Sequence, residues 1–237
     1  MNSEDLATLR FFQTSPHPCS YLPGQEAATV FMDPEQPLTV HLYSRLITAG
    51  FRRSGTHLYR PGCAQCQACI SCRVRVRDFQ YTRRFKRVWQ RNQDLVVREV
   101  QDLSEPECFD LYASYINTRH RDGDMYPPTP EQFQSFIRVK AASTRFYGFY
   151  SDNALVAVCV LDELDHCLSA MYTFFDPELA ERSLGVFAIL WQIEKTRRLN
   201  LPYLYLGYWI KSCDKMRYKT EYRPLELFIA GKWTLLS

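Results

Sequence analysis

The chain has 237 residues with 46% hydrophobic content, enough to bury a sizeable core in one large domain or two small ones. A net charge of +3 excludes a histone-like polycation, so any basic site must be local. No run of about eighteen apolar residues occurs, so no membrane-spanning helix is expected.

Glu4 and Asp5 precede any apolar stretch, so no export signal is expected, and nine cysteines in such a chain argue for reduced thiols rather than a disulfide framework. A cytoplasmic location follows as an expectation. Residues 6–14 read as a short strand-like or irregular segment, and the Pro-rich stretch 15–27 that contains Cys19 reads as loop. A helix is predicted over 41–49, stopped by Gly50, with a hairpin or strand over 51–59.

Residues 58–92 carry the densest signal. Cys63, Cys66, Cys69 and Cys72 stand at three-residue spacing, a pattern able to hold a soft metal or a cluster. Arg73, Arg75 and Arg77 alternate with Val74 and Val76, which predicts a half-buried strand with a positive edge. Thr82 then predicts an N-cap for a basic amphipathic helix with Phe85, Val88, Trp89 and Asn92 on one face and Arg84, Arg87 and Arg91 on another. Together these suit an anionic polymer.

Beyond it, 95–100 reads as a strand, and Ser104 with Glu107 reads as a capping box opening a helix to about residue 119. A polar loop follows, then a helix over 131–141, strands over 144–150, 154–163 and 167–175, a helix over 186–199, and strands over 202–207 and 225–230. That order predicts an α+β or α/β fold with an acetyltransferase-like sheet domain over 101–237, behind a smaller cysteine- and arginine-rich domain over 1–100. The segment 182–185 sits where such a fold cradles an anion at a helix N-terminus, although Phe187 stands where a small residue would allow close approach of a phosphate.

Four motifs in order, SPHPCSYLPGQEA, YRPGCAQCQACISCRVRV, RHRDGDM and LGYWIKSCDKMRYKTEYRPLE, resemble the aminoacyl-tRNA–protein transferase family over residues 10–226. The length and repeated C-x-x-C spacing are similar to its short bacterial branch. That resemblance implies transfer of leucine from leucyl-tRNA to proteins with N-terminal Asp or Glu, as a degradation signal, with no DNA or membrane partner. It also implies that a C-x-x-C pair near the N-terminus can bind zinc or an iron–sulfur cluster, but Cys19 is followed by Ser20, Tyr21 and Leu22. A metal set would have to combine Cys19, Cys63, Cys66, Cys69 and Cys72, and the reaction itself requires no cofactor. Arginyl transfer, acyl-CoA N-acetyltransfer and a metal-bearing RNA-binding module are the competing readings.

An aminoacyl ester is already activated, so positioning and oxyanion stabilisation can supply most of the rate. Asp122, Asp124 and Tyr208 are the candidate proton acceptors. Arg73 and Arg75 are expected to read the acceptor's acidic side chain, with Arg83 and Lys219 next in line. Tyr172, Trp209 and Tyr218 supply aromatic faces, and Lys215 and Lys219 interleaved cations, for a single-stranded RNA end.

Overall fold

The computed structural model describes residues 9–236. The chain opens with β1 (Phe11–Gln13), a ribbon of β2 (His17–Pro18) and β3 (Glu26–Ala27), and β4 (Thr29–Met32). Helix α1 (Val40–Thr48) starts where Thr39 accepts the amide of Leu42, as its N-cap pattern requires. The hairpin β5 (Arg52–Ser54) and β6 (His57–Pro61) follows, and a four-stranded antiparallel sheet forms in the order β1-β4-β6-β5. Of the expected segment 6–14, residues 6–8 lie outside the described residues.

The second sheet has eight strands. It is built from β7 (Ile70–Arg75), β8 (Val96–Val100), β9 (Thr144–Ser151), β10 (Ala154–Leu164), β11 (Cys167–Phe175), β12 (Tyr203–Trp209), β13 (Leu225–Ile229) and β14 (Lys232–Leu235). Their order is β14-β13-β7-β12-β11-β10-β9-β8, with every neighbouring pair antiparallel except β11 and β12. A boundary at residue 100 therefore does not separate two sheets, because β7 and β8 come from before it.

Helices cover both faces. Between β7 and β8 runs α2 (Arg83–Arg91), capped by Thr82 accepting the Phe85 amide. Its Phe85 and Val88 are buried in one cluster with α5 (Leu184–Arg198) and with Ala157, Cys159 and Leu161 of β10. The alternate residues Val158 and Val160 face α3 (Pro106–Arg119) on the other side. Strand β10 is thus buried on both faces, which explains its nearly unbroken apolar run. Each such side chain contributes roughly 1.5–3 kcal/mol of transfer free energy.

Two expected elements differ. Pro106, whose φ suits the first helical position, starts α3 there, so Glu105 rather than Ser104 stands at its N-terminus without a side-chain cap. The helix expected over 131–141 is one short turn, α4 (Pro130–Gln132), continuing as a π turn over Phe133–Ile137. Among the described residues, no helix is long and apolar enough to cross a membrane.

Candidate functional site

The parallel pair β11 and β12 is joined only at Cys167–Ser169 against Tyr203–Tyr205. Beyond that point β11 stays with β10 and β12 stays with β7. Both strands carry an extra residue where they part: Met171 between the partners of Val160 and Leu161, and Leu206 between the partners of Arg73 and Cys72. Such bulges bend a strand and sharpen its twist, so two side by side pry the sheet open. A cavity of about 790 Å³ occupies the gap, within the range of small-ligand sites.

Segments from the whole chain close over this gap. Tyr21, Arg52 and Tyr59 come from the first sixty residues, His120 from the end of α3, and Lys215, Tyr218 and Lys219 from a 3-10 segment after β12. The N-terminus of α5 also lines it, at residues 183–186. Ser183 takes a left-handed φ of 53° and accepts the amides of Val186 and Phe187 through its carbonyl. The first amides of a helix have no intrahelical partner, so this end of the lining is a ready site for negative charge. A Cβ on Gly185 would lie 2.9 Å from the Phe175 ring, so glycine lets the helix start approach β11. Phe187 turns away, 4% exposed and packed on Trp89 and Phe149, and does not obstruct this end.

The lining is cationic. Arg52, Arg119, Lys215 and Lys219 contribute to it, and among the described residues no Asp or Glu does. Arg52 is buried and donates to the Ser169 hydroxyl at 3.2 Å and the Ala170 carbonyl at 2.6 Å. Gly207, with φ at +85°, gives it room, since a Cβ there would lie 3.2 Å from its guanidinium. Lys219 is buried and donates to the Tyr208 carbonyl at 2.5 Å. Burial pushes its ammonium down to about 8, and the nearby Arg52 charge pushes the same way. Burial, then Lys215 and Arg119, hold His120 below the usual imidazole value, so its ring is neutral at pH 7. Its Nε2 lies 3.0 Å from the Tyr115 hydroxyl. Gln192 also contributes to the lining, and its buried side-chain amide oxygen has no hydrogen-bond partner among the described residues.

Of the residues expected to act, Tyr172, Tyr208, Lys215, Tyr218 and Lys219 line the cavity. Tyr208 donates its hydroxyl to the Gly50 and Tyr59 carbonyls, and burial pushes its pKa up, so it is a poor proton acceptor. Asp122 is exposed and ion-paired to Lys215 at 2.6 Å, which holds its carboxyl below the usual range. Asp124 is exposed and outside the lining. Trp209 packs against the main core instead.

The arginine row is not a free positive edge. Strand β7 lies in the middle of the sheet, between β13 and β12. Arg73 is 7% exposed, ion-paired to Glu226 at 2.7 Å and stacked over Tyr203 and Trp233. Arg75 is paired with Asp78 at 2.7 Å. Neither lines the cavity, so the expectation that they read an acidic side chain is corrected. On α2, Arg84 is paired with Glu221 and Arg91 holds the Glu181 carbonyl. Arg83, Lys86 and Arg87 are exposed and carry no ion pair among the described residues.

Cys19, Cys63, Cys66 and Cys69 are neighbours. Burial, then the charges of Cys19, Cys63, Cys66 and Cys213, push the Cys69 thiol up to about 11. Among the described residues no three His, Cys, Asp or Glu side chains are placed to hold a metal ion. Cys72 stands apart, fully buried, with its thiol donating to the Gly207 carbonyl at 3.2 Å.

Arg52, His120 and Gln192 were not singled out from the sequence. His120 lay within the RHRDGDM motif already noted. Gln192 sits in a run that reads as an ordinary helix, and nothing local separates Arg52 from Arg53.

Residues 17–87 match the family model described as arginine-tRNA-protein transferase, N terminus, and residues 107–229 match its C-terminus model. A protein of Alcanivorax borkumensis named aspartate/glutamate leucyltransferase is 56% identical over 229 residues, covering 97% of this chain and 95% of that protein. Proteins of the same name from Pseudomonas fluorescens Pf0-1 and Pseudomonas aeruginosa PAO1 are 52% and 50% identical, each covering 98% of this chain and 99% of theirs. Solved structures are more distant: L-PGS from Bacillus licheniformis aligns with a TM-score of 0.48 and 9% identity over 62% of this chain and 47% of that one. A C-terminal DUF2156 domain from Agrobacterium fabrum aligns at 0.46 and 14%, over 65% and 50%. With both family models matched in order and nearly full-length relatives 50–56% identical, this chain is a transferase that uses aminoacyl-tRNA. It belongs to the arginine-tRNA-protein transferase family.

Proposed function

We propose that this chain transfers leucine from leucyl-tRNA to the α-amine of proteins that begin with aspartate or glutamate. The observation that carries this reading is 50–56% identity, over nearly the whole chain, to proteins named aspartate/glutamate leucyltransferase. The cavity supports it. Leu184, Val186, Ile189 and Leu206 offer an apolar wall for a leucyl side chain. An arginyl side chain would meet Arg52, Arg119 and Lys219, a Lys215 already paired with Asp122, and no carboxylate in the lining, which opposes it electrostatically. The split between β11 and β12 beside a helix N-terminus also supports an acetyltransferase-like architecture for this half.

In the reaction, the acceptor amine attacks the ester carbonyl carbon of leucyl-tRNA. A peptide bond forms, the ester C–O bond breaks, and the 3′ ribose oxygen leaves with a proton. The ester is already activated, so no cofactor is needed. The open amides at the start of α5 are suited to the developing oxyanion. An α-amine near pKa 7.7–8.0 is partly neutral at pH 7, and the neutral imidazole of His120 can take the proton it sheds. The exposed Arg83, Lys86 and Arg87 of α2 suit the RNA backbone.

The test is to incubate the purified protein with charged leucyl-tRNA and a peptide beginning with Glu. The reading requires one added leucyl residue at the peptide N-terminus, and an unmodified peptide would refute it.

A further inference from the structure

We propose that Arg52, assisted by Lys219, binds the side-chain carboxylate of the acceptor's first residue and so sets the preference for acidic N-termini. This assignment rests on the transfer activity proposed above and names the group that reads its substrate.

Arg52 is 6% exposed, and a buried guanidinium ordinarily has a carboxylate beside it. Its chain neighbour obeys that rule: Arg53 sits 2.8 Å from both oxygens of Asp162. Arg52 has only the Ser169 hydroxyl and the Ala170 carbonyl, and no ion pair among the described residues. Two of its five N–H groups are thereby used, and three remain for a ligand. Lys219, also buried and lining the same cavity, has the Tyr208 carbonyl and the Tyr218 ring 5.9 Å away, and no ion pair among the described residues. Two buried cations sharing one cavity without an anion destabilise each other and the fold, and an incoming carboxylate removes that cost.

The position suits the chemistry. Arg52 is held where β11 and β12 part, by Ser169, the last residue of β11 paired with β12, and by the next residue, Ala170. A planar guanidinium can grip a carboxylate with two parallel N–H bonds. In Asp or Glu that carboxylate is a few bonds from the α-amine, so anchoring one places the other. A phosphate of the RNA is the less favoured anion, because the exposed cations of α2 already offer a surface for the backbone.

The test compares wild type, Arg52→Gln and Arg52→Lys on peptides that begin with Glu, Asp and Gln. Three quantities are measured: kcat/KM for leucyl transfer, peptide affinity by calorimetry, and affinity for leucyl-tRNA. The Glu-to-Gln ratio of kcat/KM and of affinity should fall about tenfold or more in Arg52→Gln, as expected for loss of a charge-assisted contact. Arg52→Lys should recover part of it, and leucyl-tRNA affinity should hold. A proportional fall for all peptides, or a loss of leucyl-tRNA affinity at an unchanged ratio, would overturn the assignment. If Arg52→Gln fails to fold, Lys219→Met must narrow the same ratio, and an unchanged ratio there overturns it too. Wild type that prefers the Glu peptide in binding but transfers no leucine would refute the activity and leave the assignment standing. Equal affinity for Glu and Gln peptides would overturn the assignment itself.

Discussion

Arg53 grips both oxygens of Asp162 at 2.8 Å, and the pair is almost fully enclosed, with side chains 2% and 0% exposed. The contact fastens β5 of the small sheet to β10 of the large one, and Ser143 and Thr144 complete the carboxylate's hydrogen bonds. It fixes the strand from which the adjacent Arg52 enters the cavity, so folding and recognition meet in two consecutive residues.

Breaking that pair should unfold more than it should mis-specify. Arg53→Met leaves a buried carboxylate without its cation, and the expected cost is roughly 3–5 kcal/mol. Adding Asp162→Asn to it should recover part of the loss, because no uncompensated charge is left. Chemical denaturation of the single and double variants checks both statements, and a single-variant cost below 1 kcal/mol would contradict them.

The basic face of α2 gives a second expectation. Arg83, Lys86 and Arg87 are free of ion pairs among the described residues, whereas Arg84 and Arg91 are engaged within the protein. Replacing the first three with Ala should weaken tRNA binding and lower the slope of log affinity against log salt by about two to three, one counterion-release increment of roughly 0.7–0.9 per lost contact. Thermal stability should hold, since exposed charges contribute little. A retained salt slope would locate the RNA elsewhere.

Lys219 makes stability depend on pH. Its ammonium is held at about 8 against an ordinary 10.5. Below about pH 8 both folded and unfolded states carry the proton, and the burial penalty is complete. Between 8 and 10.5 the unfolded chain holds more protons than the folded one, so stability rises with pH. Relative to Lys219→Met, wild type should gain roughly 2–3 kcal/mol across that interval. Denaturation at pH 7.5 and 10 measures the difference, and a constant gap would show that the lysine titrates normally.

His120 should matter to the proton and little to binding. His120→Asn is expected to lower kcat about a hundredfold, the lower end of general-base contributions, with acceptor KM nearly unchanged. In wild type, kcat should fall only below the ordinary imidazole range, because burial keeps the ring neutral above it. Full kcat in the variant would return the proton to solvent or to the α-amine's own equilibrium.

Much of the local structure was legible in the sequence, and the site was legible only in part. Thr82 caps its helix as expected because a cap needs only the next three residues, whereas Thr39, not read as a cap, starts its helix at Val40. The strand over 154–163 was legible from its apolar run, but its burial on both faces was not read there. Arg73 shows the limit: alternation along β7 tells which side chains share a face, but not what lies across it. The answer, Glu226, is 153 residues away on β13. Ser104 was displaced as a cap by a neighbour, Pro106, whose fixed φ sets the helix start. The cavity itself exists because bulges at Met171 and Leu206 coincide across two strands, and a bulge pairing leaves no periodic trace in either segment.

The most direct test of the whole account is a donor competition. The protein is given leucyl-tRNA and arginyl-tRNA, separately and together, with a peptide beginning in Glu, and label incorporated at its N-terminus is counted. The cationic lining without a carboxylate and the apolar wall predict leucine incorporation with arginine near background. Arginine incorporation equal to or above that of leucine would contradict it.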